Sequence, residues 1–196
     1  MTNKDEKIKS SIIKAAENLF QKYGINKTTM EDIAKESRKA KSTLYYYFKN
    51  KEEIFDAVLM KEMNEIFQIV KDAVSVEKDF EGKMRAYVIT DLREIKKRVN
   101  LYSIVKSEII YDEHFIKKFR ESFDTRDINF ITEIIEFGVK NQELRPLTDD
   151  EIKTLSHIIL IAFRSIELDL FIEHKFLNDD EKIDSLLNIL YYGIKK

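Results

Sequence analysis

The sequence predicts an all-α protein, and three observations support this prediction. The 196 residues include one Pro and four Gly, so few residues interrupt helices. No segment alternates apolar and polar residues over a useful length, and no Asn-Gly or Asp-Gly pair marks a hairpin. Apolar residues instead recur at spacings of three and four, which is the helical period. The chain is long enough to bury a core in one or two domains.

The composition also excludes several classes of protein. The chain has no Cys, which removes disulfides, thiol catalysis and Cys-ligated zinc and fits a reducing, cytoplasmic location. Its first residues are charged and lack an apolar core, so a secretory signal is not expected. The longest continuous apolar run of the C-terminal half, Ile158 to Phe163, is far too short to span a membrane.

Charge is distributed unevenly along the chain, although its net value is only −2. Residues 1–51 hold twelve Lys or Arg and six Asp or Glu, a balance of +6, whereas the remainder has a balance of −8. This division predicts that the basic N-terminal region faces a polyanion and that the remainder of the chain forms an acidic domain. The alternative is that long exposed helices simply carry many charges.

The first helix is predicted from Asp5 to Tyr23. Its apolar residues are spaced by three and four, and Gly24 supplies a left-handed C-terminal stop. This helix would form the core on which the next two helices rest.

Two short helices joined by a tight turn are predicted next. Thr28 can cap the first of them, with Glu31 reaching back to complete a capping box. The polar segment 37–40 is short enough to be the turn. A short helix, a short turn and a second short helix are typical of a helix-turn-helix that enters the major groove of DNA.

The second short helix begins at Lys41. It places Leu44 and Phe48 on one face, four residues apart, while hydroxyl and aromatic side chains cover the other faces. Asn50 then caps a third helix, with Glu53 at its third position.

The segment from Ala15 to Phe48 resembles the DNA-binding segment of the TetR family of bacterial transcriptional regulators. The matching words are AlaAlaGluAsnLeuPhe (15–20), TyrGly (23–24), ThrThrMetGluAspIleAlaLys (28–35) and SerThrLeuTyrTyrTyrPheLysAsnLys (42–51). The resemblance covers roughly the first quarter of the chain. It implies an N-terminal three-helix helix-turn-helix domain, residues 1–51, joined by a connector helix to a C-terminal ligand-binding and dimerisation bundle, residues 52–196.

Candidate DNA contacts are hydroxyl, cationic and phenolic side chains that suit phosphates and base edges. They are Thr28, Thr29, Arg38, Lys39, Lys41, Ser42, Thr43, Tyr45, Tyr46, Lys49 and Lys51. Tyr45 and Tyr46 are expected to reach the groove, whereas Tyr47 and Phe48 are expected to pack back with Leu44. Lys51 stands where the family commonly has a phosphate-contacting lysine.

The turn departs from the family pattern. Most members have GlyValSer where this chain has Arg38, Lys39 and Ala40. One hypothesis is that Arg38 and Lys39 add phosphate contacts while the helix-turn-helix loses stability. Ala40 contributes to that loss, because replacing a Ser cap by Ala costs about 1 kcal/mol. The alternative is that the motif has drifted and no longer binds specific DNA.

The connector helix is predicted to follow Asn50 for about twenty residues without a break. A loop is expected at 75–82, a helix at 84–99, a shorter apolar stretch at 101–111 and a long helix from Phe115 to Val139.

Pro146 breaks the helical pattern, and Thr148 with Glu151 predicts a capping box that starts a new helix at once. The segment 138–146 is also similar to the bend that many members of the family place before their last two helices. Asn178 with Glu181 caps the final helix.

The last two helices are the most apolar, and the first of them is apolar on more than one side. A homodimer that pairs these helices across a two-fold axis is therefore expected, whereas the alternative is a monomer with an ordinary core. The expected interface residues are Leu155, Ile159, Ala162, Phe163, Ile166, Leu170, Leu186, Leu187, Leu190 and Tyr191.

An active site is not expected. His114, His157 and His174 have no metal-ligand spacing, no glycine-rich phosphate loop is present, and no metal or cofactor is implied. The resemblance implies a small-molecule pocket in the C-terminal bundle, for which Tyr102, Glu108, His157 and Arg164 are candidates. The aromatic residues of this half suit either an apolar ligand or plain core packing.

The expected function is a dimeric, ligand-responsive repressor that binds a palindromic operator in double-stranded DNA and is released by an unknown small-molecule effector. A protein–protein interaction module that keeps the fold without specific operator binding is the alternative.

Overall fold

The computed structural model describes residues 3–109 and 113–172, with residues 185, 187, 188 and 192 nearer the C-terminus. These residues form helices and no strand, so the all-α prediction is confirmed. The helices are α1 Asn3–Tyr23, α2 Met30–Glu36, α3 Lys41–Tyr47, α4 Lys51–Ser75, α5 Phe80–Ile109, α6 Glu113–Lys140 and α7 Asp149–Ile172. None of the described helices is long and apolar enough to cross a membrane.

The chain divides into two compact units. Unit 1 consists of Met1–Ile66 with Val99–Glu108, and unit 2 of Phe67–Arg98 with Ile109–Lys196. The predicted domain boundary between residues 51 and 52 stays a prediction.

The core of unit 1 joins the first three helices. Ile12 and Phe20 of α1, Ile33 of α2 and Leu44 of α3 are completely buried. The Phe20 ring meets the Phe55 ring of α4 edge to face, with 5.6 Å between centroids. Burying each such side chain contributes roughly 1.5–3 kcal/mol, which fixes the short helices α2 and α3 on α1.

The ends of these helices follow local chemistry. The predicted stop at Gly24 is confirmed, because this residue has φ 82° and its N–H donates to Phe20 O at 3.0 Å. The predicted cap of α4 is confirmed as well, since Asn50 Oδ1 accepts from the Glu53 N–H at 2.8 Å. At 25 residues α4 is longer than predicted.

The cap of α2 was predicted one residue too early. Thr29 is the N-cap, its Oγ1 accepts from the Asp32 N–H at 3.2 Å, and Asp32 completes the capping box. The Thr28 side chain is buried, and its hydroxyl donates to Gly24 O at 2.7 Å. Because that bond holds Thr28 in the α1–α2 turn, its hydroxyl cannot cap α2.

Two segments that the sequence predicts separately form one continuous helix, of which residues 80–98 belong to unit 2 and residues 99–108 to unit 1. Helix α5 spans the expected helix at 84–99 and most of the stretch at 101–111, of which residues 110 and 111 lie outside the described residues. It begins at Phe80, inside the predicted loop, because Asp79 caps it by accepting from the Gly82 N–H at 2.7 Å. Phe80 itself is buried.

Helices α6 and α7 form an antiparallel pair around the bend at Pro146, and they pack closely on each other. Ile131 and Ile135 of α6 are completely buried, and Ile152 of α7 is also buried. The predicted capping box of α7 is confirmed, because Thr148 N donates to Glu151 Oε2 at 2.8 Å and Thr148 Oγ1 accepts from Glu151 N at 3.2 Å. The predicted cap at Asn178 and Glu181 lies outside the described residues.

Candidate nucleic-acid interface

Helix α3 presents aromatic side chains outward from a buried floor. Leu44 and Phe48 are buried, as predicted, whereas Tyr46 is 79% exposed and Tyr45 is 46% exposed. Ser42 is also exposed. A phenol on an anchored short helix can offer its hydroxyl to a phosphate or base and its ring to a thymine methyl group.

Tyr47 is half-buried, whereas Leu44 and Phe48, with which it was expected to pack, are buried. The Tyr47 hydroxyl donates to Asp5 Oδ1 of α1 at 2.7 Å. This hydrogen bond, with a smaller contribution from burial, raises the pKa of Tyr47 to about 12. The Tyr47 ring also meets the Tyr46 ring edge to face, with 4.9 Å between centroids.

Lys41 opens α3 and is tied to α2. Its ammonium pairs with the Glu31 carboxylate and lies 5.8 Å from the centroid of the Tyr45 ring. The hydrogen bond between Lys41 and Glu31 lowers the pKa of Glu31 and raises that of Lys41. Both side chains are exposed, so solvent screens the pair, and a phosphate could replace the carboxylate.

Thr28 and Lys51 belong to the scaffold of the α1–α2 turn. The Lys51 ammonium donates to Ile25 O at 2.8 Å and to Thr28 O at 3.2 Å. The Thr28 hydroxyl is buried and already donates to Gly24 O, so a phosphate contact of Thr28 stays a prediction that this geometry does not favour.

Thr29 stays on the surface, but its polar atoms serve the helix cap. Its N–H and hydroxyl both donate to Asp32 Oδ2, at 3.0 and 2.6 Å. These hydrogen bonds lower the pKa of Asp32. A phosphate at Thr29 would therefore have to compete with a carboxylate that is fully ionised near neutral pH.

The turn between α2 and α3 adopts a left-handed C-terminal cap. Arg38 has φ 54°, its N–H donates to Lys35 O at 3.2 Å, and the next N–H, of Lys39, donates to Ala34 O at 3.0 Å. The usual Gly of the family therefore corresponds to a residue with positive φ. Ala40 is the N-cap of α3 and makes no side-chain capping bond.

The candidate cations and hydroxyls lie along this turn and α3. Arg38, Lys41 and Ser42 are exposed, Lys39 and Thr43 are half-buried, and Lys49 is exposed just after α3. The local sequence thus brings most predicted DNA contacts to one short segment.

Two of the four residues predicted for a ligand pocket, His157 and Arg164, have described side chains. His157 is exposed, and its Nδ1 lies 2.8 Å from Lys153 O on the same helix. Arg164 instead pairs with Asp127 Oδ2 at 2.7 Å and with Asp124 Oδ1 at 3.3 Å. The side chains of Tyr102 and Glu108 lie outside the described part of the chain.

Unit 2 contains a groove that the sequence did not predict. Its volume is about 420 Å³, and it is lined by Phe67, Lys71, Thr125, Arg126, Asn129, Phe130 and Glu133. The Arg126 guanidinium lies 4.0 Å from the Phe67 ring centroid, and Phe67 meets Phe130 edge to face at 5.3 Å. The lining residues come from α4 and α6, more than fifty positions apart, so no local pattern could reveal them. No group of His, Cys, Asp or Glu in the described residues could hold a metal.

Helix α7 has an apolar outer face. Ile158 is 57% exposed, Ile161 is 65% exposed, and Ala162 is exposed beside them. Phe163, predicted to lie in the interface, is instead buried in the protomer, with its ring 5.4 Å from that of Tyr87. The position of Phe163 on α7 places its side chain on the face that packs against the core of unit 2.

The other predicted interface residues are less exposed or cannot be placed. Leu155, Ile159, Ile166 and Leu187 are half-buried. The side chain of Leu170 and residues Leu186, Leu190 and Tyr191 lie outside the described part of the chain.

The all-helical fold and the α2–turn–α3 geometry are those of a helix-turn-helix DNA-binding protein. The family model described as bacterial regulatory proteins, tetR family, matches residues 12–58, and the chain belongs to this family. The curated relative YhgD of Bacillus subtilis, an uncharacterised HTH-type transcriptional regulator, is 25% identical over 92% of this chain and 93% of its own.

Two further similarities agree with this class. The HTH-type transcriptional repressor KstR2 of Rhodococcus jostii is 24% identical over 74% of this chain and 71% of its own. The crystal structure of a transcriptional regulator from Cytophaga hutchinsonii is 30% identical, covers 90% of each chain and superposes with a TM-score of 0.67. The protein is therefore a transcriptional regulator of the TetR family.

Proposed function

We propose that this regulator is a homodimeric repressor that binds a palindromic operator and leaves it when a small molecule binds the C-terminal domain. The observation that carries DNA binding is α3, where Tyr45 and Tyr46 are exposed above the buried Leu44 and Phe48. Residues 1–51 would form the DNA-binding domain and residues 52–196 the ligand-binding and dimerisation domain. The repressor KstR2, similar over most of the chain, supports the direction of regulation.

The operator would consist of two half-sites. Each protomer would place α3 in one major groove, so the half-sites would lie roughly 34 Å apart or a multiple of this distance. The outer face of α7, with Ile158, Ile161 and Ala162 exposed, supports pairing of two protomers, because an exposed apolar patch on a surface helix favours association.

The effector would act through α4. This helix runs without a break from Lys51, four residues after the end of α3, to Ser75. Its residues Phe67 and Lys71 line the groove of unit 2. A small molecule that binds there would change the contacts of α4, and a tilt of a continuous helix at one end moves the other. The identity of the effector does not follow from these residues.

The DNA-binding proposal is tested by fluorescence anisotropy with the fragment upstream of the gene and with a random duplex of equal length. We expect tighter binding to the upstream fragment and a linear fall of log affinity with log salt. Tyr46→Ala should reduce specific affinity by about ten- to a hundred-fold, the usual effect of losing one base-pair interaction. Tyr23→Ala is the matched control, because Tyr23 is also an exposed phenol but lies at the end of α1.

Equal affinity for both duplexes would contradict operator binding and favour the protein–protein alternative. The dimer is tested separately by sedimentation. Ile161→Lys should dissociate it, whereas Val76→Lys, at an exposed apolar residue of the α4–α5 loop, should not. A wild-type monomer at micromolar concentration would exclude the dimer.

A further inference from the structure

The N-terminal part of α1 contacts the end of α3, the helix that is proposed to read the DNA. The Tyr47 hydroxyl of α3 donates to Asp5 Oδ1 at 2.7 Å, across 42 positions of sequence, in a partly buried site. The Lys9 ammonium, one turn further along α1, lies 5.4 Å from the Phe48 ring centroid. Two residues of α1 therefore contact the last residue of α3 and the residue that follows it.

The Tyr47 ring in turn contacts Tyr46, which is more exposed than Tyr45 or Tyr23. The Tyr46 and Tyr47 rings meet edge to face at 4.9 Å with an interplanar angle of 88°, which is a favourable aromatic geometry. Tyr46 is 79% exposed, so its contact with the Tyr47 ring is expected to restrict a side chain that otherwise faces solvent. A side chain restricted before binding loses less conformational entropy when it meets a base.

We infer that Asp5 and Tyr47 are positioning residues that hold the Tyr46 ring in the orientation in which it reads the operator. This inference rests on the proposed DNA-binding function. The Asp5 carboxylate fixes the Tyr47 phenol, the fixed Tyr47 ring restricts Tyr46, and Tyr46 meets the DNA. The raised pKa of Tyr47, about 12, means that its hydroxyl keeps the donated proton throughout the pH range of a binding assay.

A competing role for Asp5 predicts the opposite sign. Asp5 is a negative charge in a segment that would face phosphates, so a purely electrostatic role would make its removal raise the affinity for any duplex. A positioning role for Asp5 instead predicts that removing its carboxylate lowers the affinity for the operator. The sign of the effect therefore distinguishes the two roles.

The test uses three variants at the contact and one control. Asp5→Ala removes both the acceptor and the charge, Asp5→Asn removes the charge but keeps an acceptor oxygen, and Tyr47→Phe removes only the donor. Glu6→Gln removes the adjacent exposed carboxylate, for which no side-chain contact with α3 is found in the described structure. Circular dichroism melting confirms that each variant is folded.

We expect Asp5→Ala and Tyr47→Phe to lower operator affinity by about five- to ten-fold, a coupling typical of residues in contact. Asp5→Asn should restore most of this loss, and Glu6→Gln should leave affinity equal or slightly raised. In a Tyr46→Ala background the loss from Asp5→Ala should disappear, because the residue that it positions is gone. A loss of equal size in that background, or a gain with both Asp5→Ala and Asp5→Asn, would overturn the inference.

A measurement without DNA separates this inference from the proposed function. In aromatic carbon–proton NMR spectra of the full chain, Tyr47→Phe and Asp5→Asn keep the folded module while changing the contact. Tyr47→Phe should shift the Tyr46 ring signals, because ring currents depend on the orientation of neighbouring rings, and Asp5→Asn should shift them less. Unchanged Tyr46 signals in Tyr47→Phe would exclude positioning. Failure of the wild type to prefer the operator would instead refute the proposed function.

Discussion

Arg38 offers a direct test of the strain in the turn of the helix-turn-helix. It has φ 54°, and an L-residue in this left-handed region costs roughly 1–2 kcal/mol relative to the right-handed helical region. Gly avoids that cost, although its extra freedom in the unfolded chain offsets roughly 0.5–1 kcal/mol. Arg38→Gly should therefore raise the free energy of unfolding by roughly 0.5–1 kcal/mol.

Unit 2 contains a matched control for this change. Gln142 has φ 60°, and it follows α6 as Arg38 follows α2. The two caps make the same kind of hydrogen bond. In each, the N–H of the residue that follows donates to a carbonyl five residues earlier, Lys39 N to Ala34 O at 3.0 Å and Glu143 N to Gly138 O at 2.9 Å. Gln142→Gly should stabilise unit 2 by a similar amount and leave DNA binding unchanged.

The assay is amide hydrogen exchange followed by mass spectrometry, because it locates stability along the chain. A gain of roughly 0.5–1 kcal/mol slows exchange through global opening by about two- to five-fold. Arg38→Gly should slow peptides from unit 1, and Gln142→Gly peptides from unit 2. Arg38→Gln removes the charge but keeps the side-chain constraint, so it should not slow exchange.

DNA binding by the same variants separates strain from charge. If Arg38 contacts a phosphate, both Arg38→Gly and Arg38→Gln should reduce the slope of log affinity against log salt by about 0.9. Exchange that slows in Gln142→Gly but not in Arg38→Gly would refute the assignment of strain to Arg38. An unchanged salt slope in both Arg38 variants would reject the phosphate contact.

Three further changes test the scaffold. Lys51→Met removes the ammonium that donates to Ile25 O and Thr28 O and should cost about 1–2 kcal/mol in urea unfolding, whereas Lys49→Met should cost little. Thr28→Val keeps the buried shape but loses the bond to Gly24 O, so it should cost about 1 kcal/mol and leave the salt slope of DNA binding unchanged. The pKa of Glu151 is lowered to about 2, mainly by the Thr148 N–H, so its ionised form stabilises the folded state above the ordinary value of 4.5. That contribution is lost as pH falls from about 4.5 to 2, and Glu151→Gln should flatten this part of the pH dependence of the urea midpoint.

Helix ends were predictable where one local signal was decisive. Gly24, the turn at 37–40, Asn50 with Glu53 and Thr148 with Glu151 all act within four residues, and the structure places helix ends at each of them. The capping interaction is complete in the local sequence, so distant residues do not change it.

Adjacent signals could not be separated without the tertiary structure. Thr28 with Glu31 and Thr29 with Asp32 are two capping boxes displaced by one residue. Burial decides between them, because the Thr28 side chain lies inside the α1–α2 turn while Thr29 stays at the surface. The continuity of α5 was missed for a different reason, since a weak stretch of the apolar pattern near residue 100 contains no Pro or Gly and does not end a helix.

Contacts between distant residues were beyond the sequence. The periodicity of α7 identified a helix apolar on several sides, but the core of unit 2 decides that Phe163 faces inward and that Ile158 and Ile161 face outward. The groove beside Phe67 and Arg126 depends in the same way on how α4 and α6 meet.

The contacts of α3 bear on how an effector could act. Leu44 and Phe48 lie in the core of unit 1, Tyr47 is bonded to Asp5 of α1, and Lys41 is paired with Glu31 of α2. Because these contacts reach both neighbouring helices, reshaping α3 alone would break several of them at once. A movement of α1, α2 and α3 as one body would keep these contacts. If a small molecule releases the DNA, a joint displacement of α1, α2, α3 and the start of α4, which Lys51 ties to the α1–α2 turn, would therefore preserve more of these contacts than a local change in α3.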